Sequence, residues 1–192
     1  MSGDESEQEL IKKLRMGDPS AFHRLVDRFG NRLYGLAFSL LNNAEDAEDV
    51  VQETLSGAYR SIGSFQQRAS LWTWLVKILV RQAARSRRSL DARSQKLRLG
   101  SPLEDLERGG QLPPGTHEPM RHMDAKMDVM AMLEKLSPDQ QEIIILRELE
   151  QLSYDQISQS LGIPLGTVES RLYRARAELR QLLRGYAGST GR

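Results

Sequence analysis

The chain has 192 residues, enough for one ordinary domain or two small ones, and carries 28% charged residues with a formal net charge of only +1. So even a balance excludes a protein held on nucleic acid by its global field, and any polyanion site must be local. No cysteine is present, which excludes disulfides and thiolate-held zinc or iron–sulfur clusters, and His23, His117 and His122 are too scattered to form a metal-ligand set.

The opening residues, MSGDESEQEL, are acidic and lack the basic-then-apolar order of a secretory signal. No apolar run approaches the ~20 residues a membrane span needs, so a cytoplasmic protein without membrane insertion is expected. From there the apolar residues recur every three or four positions: Leu10, Ile11 and Leu14, then Phe22, Leu25, Val26 and Phe29, then Leu33, Leu36, Ala37 and Leu40. That period is helical. The break at Gly17-Asp18-Pro19-Ser20 supplies a stop and a cap, with Asp18 or Ser20 able to accept from the next helix's free amides. A second break, at Asn42-Asn43, puts Asn43 in capping position and acids in the first turn that follows. A third, over residues 62–70, leads into a helix carrying Leu71, Trp72, Trp74, Leu75, Ile78 and Leu79.

The periodicity then fails. Residues 91–122, rich in Arg, Gly, Pro and polar residues, cannot bury enough apolar surface to offset their ordering entropy, and read as a flexible linker. Beyond it Met123, Met127, Met130 and Leu133 share one face, a core stripe or an adaptable partner surface. Ser137-Pro138-Asp139-Gln140 then caps a helix containing Ile143, Ile144, Ile145, Leu146 and Leu149. The segment Tyr154-Asp155-Gln156-Ile157-Ser158-Gln159-Ser160-Leu161, a tight corner at Gly162-Ile163-Pro164, and a second helix from Leu165 have the grammar of a helix-turn-helix. The expected fold is all-α: two small helical domains, residues 6–90 and 123–187, the second carrying the helix-turn-helix.

In such units the second helix enters the major groove by its N-terminal end. Thr167, Glu169, Ser170 and Arg171 stand within reach of bases or phosphate there, and Arg174 and Arg176 extend positive charge along the helix. Glu169 can accept from a cytosine amino group but repels phosphate, so it reads a base or faces outward. A solvated basic face with no partner is the competing reading of these arginines.

In the first module Asp46, Asp49, Gln52 and Glu53 recur along one side of a helix while Val50, Val51 and Leu55 face the core. A single straight helix spreads those carboxylates over ~10 Å of rise, too far to converge on a metal, so a basic protein partner or plain solvent suits them better. The helix from Leu71 combines two tryptophans with Lys77, Arg81, Arg85, Arg87 and Arg88, the aromatic-plus-basic mixture that holds unpaired bases and their backbone. Trp74, beside Leu75 and Ile78, is expected in the core, and Trp72 at the surface.

These motifs occur together and in order: Asp46-Ala47-Glu48-Asp49-Val50-Val51-Gln52-Glu53-Thr54, Ser64-Phe65, Ala69-Ser70-Leu71-Trp72-Thr73-Trp74-Leu75, Leu152-Ser153-Tyr154-Asp155-Gln156-Ile157 and Gly166-Thr167-Val168-Glu169-Ser170-Arg171. The chain resembles the extracytoplasmic function (ECF) sigma factors of bacterial RNA polymerase, which have sigma domains two and four only. The resemblance implies a transcription initiation factor whose partners are core RNA polymerase, through its clamp helices and flap, promoter DNA, both duplex and single-stranded, and an anti-sigma protein. It implies no cofactor and no catalysis by the chain itself. Asp46, Asp49, Gln52 and Glu53 would dock on the polymerase. The helix with Trp72, Lys77, Arg81 and Arg85 would melt and hold the downstream (minus-ten) element, with a flipped base in the loop 64–70. The C-terminal helix would bind the upstream (minus-thirty-five) element. Arg81 stands where many members have asparagine and Arg85 where an acid is common, departures that bear on base specificity. A stand-alone helix-turn-helix regulator with an N-terminal sensor or dimerisation domain is the rival reading. No nucleophile–base pair, glycine-rich phosphate loop or ligand cluster supports an enzyme.

Overall fold

The caps expected from the sequence are where the helices start. In the computed structural model, which describes residues 6–100 and 130–189, all regular elements are helical and no strand occurs among the described residues. The chain divides into two units, with the division falling outside the described residues.

In the first unit, α1 (Glu7–Arg15) is capped by Ser6, and α2 (Pro19–Leu41) by Asp18, whose carboxylate accepts from Ser20 N at 2.8 Å. These hydrogen bonds from Ser20 hold the Asp18 carboxyl below its ordinary value. α2 ends at Asn42, which takes the left-handed conformation (φ 49°) that asparagine tolerates, and Asn43 caps α3 (Ala44–Ser61) through Asp46 N at 3.1 Å. A 3₁₀ turn, Ile62–Ser64, and a loop lead into α4 (Leu71–Gly100). α3 packs on both α2 and α4, and α1 lies against α2 and the 3₁₀ turn. The core is built from one stripe per helix: Leu10, Ile11 and Leu14; Leu25, Phe29, Leu33 and Leu36; Val50, Leu55 and Ala58; Leu71, Leu75, Val76 and Leu79.

α4 continues to Gly100, into the segment expected to be linker. Residues 89–99 contain neither proline nor glycine and are rich in Leu, Arg, Ala, Gln and Lys, so helix propensity carries the helix on after its apolar face has run out. In the sequence, the first helix-disfavouring residues after Leu71 are Gly100 and Pro102. The rest of the expected linker lies outside the described residues, as do Met123 and Met127.

The second unit has a helical turn at residues 130–133, then α5 (Pro138–Ile144), α6 (Tyr154–Leu161) and α7 (Leu165–Ser189). Gln140 Oε1 accepts from Ser137 N at 2.9 Å, at the Ser137-Pro138-Asp139-Gln140 cap expected from the sequence. The helix expected to run on to Leu149 instead widens into a π turn, Ile145–Leu149, with Glu150 N bonded to Ile145 O at 3.1 Å. Four successive apolar residues, Ile143, Ile144, Ile145 and Leu146, are all buried. No single α-helical face can bury four in a row, so other elements surround this segment, with α7 packed on α5 and α6 on the π turn. Arg147 Nη1 donates to Leu152 O at 2.8 Å across the turn.

Candidate nucleic-acid and polymerase interfaces

The acidic side of α3 is presented as expected. Asp49, Gln52 and Glu53 are exposed, Asp46 is half-buried in the first turn, and Val50 and Leu55 point into the core with Val51 half-buried. Glu53 meets Arg60 at 3.9 Å with both side chains about two-thirds exposed, a contact of little energetic weight. No group of acids or histidines able to hold a metal occurs among the described residues.

On α4 the structure reverses the expected roles of the two tryptophans. Trp72 is only 7% exposed, stacks on Phe29 with ring centroids 6.1 Å apart, and is covered by the Arg32 guanidinium 4.0 Å from its ring. Trp74 is half-buried and stacks on Phe65 at 4.8 Å. The reason is helical phase. The buried stripe runs Leu71, Trp72, Leu75, Val76, Leu79, Val80, Ala83, and Trp74 falls off it together with half-buried Ile78. Trp74 instead heads the stripe continued by half-buried Lys77 and by exposed Arg81 and Arg85, three and four residues apart. These three cations make no ion pair among the described residues. Trp72 is therefore a core residue.

The helix-turn-helix forms as its sequence suggests. Ser153 and Gln156 make a capping box on α6, with Ser153 Oγ accepting from Gln156 N at 3.2 Å. Gly162 turns the corner at φ 68°, a conformation that a side chain would strain. Ile157, Val168, Leu172 and Ala175 are buried between the helices, while Leu161 and Ile163 are half-buried at the edge. The amides of Leu165 and Gly166, at the start of α7, make no backbone hydrogen bond among the described residues and lie at the positive end of the helix dipole.

Around that end the structure gathers half-buried Thr167 and exposed Glu169, Ser170 and Arg174. Arg171 joins them with its guanidinium held by Asp139 of α5 at 2.9 Å. Arg176 is committed elsewhere: its Nη2 and Nε donate to Glu148 Oε1 of the π turn at 2.7 and 3.0 Å, and its Nη1 reaches the Tyr154 hydroxyl at 3.5 Å. The hydrogen bonds it donates to Glu148 raise its pKa above the ordinary guanidinium value. Instead of reaching out as expected, Arg176 braces α7 against the turn and α6. Sequence reading missed Asp139 and Glu148, because pairs between elements leave no local signal. It also missed Tyr173, 73% exposed beside Ser170 and Arg174, whose place out of phase with Val168, Leu172 and Ala175 could have marked it.

Residues 25–93 match the family Sigma-70 region 2 and residues 126–179 match Sigma-70, region 4. The chain is 32% identical to the RNA polymerase sigma-H factor of Pseudomonas aeruginosa, over 95% of this chain and 96% of that one. It is 36% identical to the ECF RNA polymerase sigma-E factor of Haemophilus influenzae, over 89% and 92%. The chain belongs to the ECF sigma factors. Among solved structures it is similar to the sigma factor RpoE of Bartonella quintana in complex with the anti-sigma factor NepR, with TM-score 0.63, 30% identity and coverage of 85% and 96%. It is also similar to CnrH in complex with the cytosolic domain of CnrY, with TM-score 0.68, 25% identity and coverage of 94% and 99%. As a sigma factor it is a transcription initiation factor that binds core RNA polymerase and directs it to promoters. The region 2 match contains the acidic side of α3 and the basic stripe of α4, and the region 4 match contains the helix-turn-helix.

Proposed function

We propose that the tasks of this sigma factor divide between its units, residues 6–90 and 123–187, joined by residues 91–122. Asp46, Asp49, Gln52 and Glu53 dock on basic groups of the polymerase clamp. Trp74, in place of Trp72, stands with Lys77, Arg81 and Arg85 beside the unpaired downstream strand, and the loop 64–70 receives a flipped base. Thr167, Glu169, Ser170, Arg171 and Arg174 read the upstream element as duplex. Each DNA grip is weak alone, and tethering both on one polymerase makes the second binding event effectively intramolecular. The chemistry of RNA synthesis is left to the polymerase, and no catalytic step is assigned to this chain.

The observation that carries the reading is the coincidence of both family matches with exposed faces of the right character, acidic on α3, basic on α4 and polar at the start of α7. A net charge of +1 supports dependence on the polymerase, because phosphate contacts supply most non-specific affinity for duplex DNA. An anti-sigma protein is a further proposed partner, supported by the solved complex of RpoE with NepR. Action in the cytoplasm agrees with the finding that, among the described residues, no helix is long and apolar enough to cross a membrane.

The test is co-purification. Asp49→Ala with Gln52→Ala should abolish recovery with core polymerase while helical content stays intact. Retained recovery removes this face from the docking site. Full specific promoter binding by the wild-type chain without polymerase would favour the stand-alone regulator.

A further inference from the structure

The loop between the 3₁₀ turn and α4 is not held by its own backbone. Residues 66–69 make no backbone–backbone hydrogen bond among the described residues, and Gln66, Gln67 and Arg68 are exposed. Gln67 nevertheless sits at φ 54°, in the left-handed region. A non-glycine residue there persists only where its surroundings over-determine the conformation.

The residues on either side of this loop are anchored by α1. At the start of the loop the Arg15 guanidinium donates to Phe65 O. That oxygen belongs to a residue whose ring is buried and stacked on Trp74, so both side chain and carbonyl are fixed. At the far end Glu7 Oε1 accepts from Leu71 N at 2.8 Å. Leu71 N is the first amide of α4, one of the orphan donors at a helix start, and a carboxylate is the acceptor the dipole favours. Ser70 accepts from Thr73 N at 3.1 Å beside it. Glu7 and Arg15 stand eight residues apart at the two ends of α1, about 12 Å by helical rise, and Leu10, Ile11 and Leu14 between them seat the helix on the core. α1 thus clasps the loop at both ends and leaves its tip open to solvent. It lies outside the residues matched to region 2.

We propose that α1 is a positioning brace, in which Glu7 and Arg15 hold the ends of the loop 64–70 so that its exposed tip stands ready for an unpaired base of the downstream promoter element. The inference rests on the proposed role of that loop. Glu7 and Arg15 do not touch DNA; they set the shape of what does.

The experiment uses the holoenzyme, assembled from core polymerase and the full chain. It selects from duplexes in which the upstream and downstream elements are both randomised, with sequencing of the retained pool. Glu7→Ala combined with Arg15→Ala should lower base enrichment in the downstream block about tenfold and leave the upstream block unchanged, as expected for the loss of charge-assisted hydrogen bonds. Glu7→Gln with Arg15→Lys keeps an acceptor and a donor, and should recover most of the preference. Undiminished downstream enrichment in the double alanine variant overturns the brace. So does an equal fall in both blocks with a lower thermal midpoint, which would make α1 a structural prop only. If Gln66→Ala and Arg68→Ala leave the downstream block intact, the loop itself is not the reader, and that result refutes the underlying role of the loop rather than the hold of α1 upon it.

Discussion

The arginines of α4 and α7 look alike in the sequence and are treated differently by the fold. Lys77, Arg81 and Arg85 stand on α4 without an ion pair among the described residues, whereas Arg171 and Arg176 on α7 are paired with Asp139 and Glu148. An unpaired cation gives up only its hydration when phosphate arrives. A paired one must leave its carboxylate, but starts from a fixed orientation. The difference suits the proposed roles, in which α4 gathers a flexible single strand and α7 meets a duplex in one register.

Five variants would break or sharpen that contrast. The largest expected effect is from Arg171→Ala, which should weaken upstream-element binding by about 1–3 kcal/mol if the guanidinium leaves Asp139 for a base edge. Unchanged promoter activity would place it outside the site. Next, Arg81→Ala with Arg85→Ala should lower holoenzyme affinity for a pre-melted downstream strand about tenfold. It should also flatten the log–log salt dependence by about 1.4, two phosphate contacts on a single strand. An unaltered slope would mean that neither arginine meets phosphate. Smaller effects come from the brace. Arg176→Ala and Glu148→Ala should each destabilise the second unit by less than about 1 kcal/mol, because the pair is roughly half exposed, and should change DNA binding in the same direction. Opposite effects on binding would make Arg176 a phosphate contact after all. The smallest is Asp139→Asn, which should raise non-specific duplex affinity by a few tenths of a kcal/mol by releasing Arg171, seen as a slightly steeper salt dependence.

What the sequence disclosed was local. Caps at Asp18, Asn43 and Ser137, and the glycine corner at Gly162, rest on hydrogen bonds between residues within four positions of each other, and each could be read from its neighbours. The two tryptophans were misjudged because an apolar residue on either side of α4 satisfies a rule based on type. Only the phase set by Leu71, Leu75, Val76, Leu79 and Val80 separates Trp72 from Trp74, and Ile78 blurred it by being apolar on the half-buried side. The acid partners of Arg171 and Arg176, and the hold of Glu7 and Arg15 on the loop, join elements distant along the chain. No periodicity encodes such contacts, because they depend on how the helices are laid against one another.

The π turn at Ile145–Leu149 has one residue more than an α-helix would need over the same span. Deleting a single residue there would let the backbone close into ordinary α-helical rings without breaking the element, while turning everything before it by about 100° relative to α6. Ile143 and Ile144 would then swing out of the core, and Asp139 would leave the side of Arg171. The wide turn therefore works as a phase-setter, joining the face that α5 buries to the angle at which α7 is packed against it.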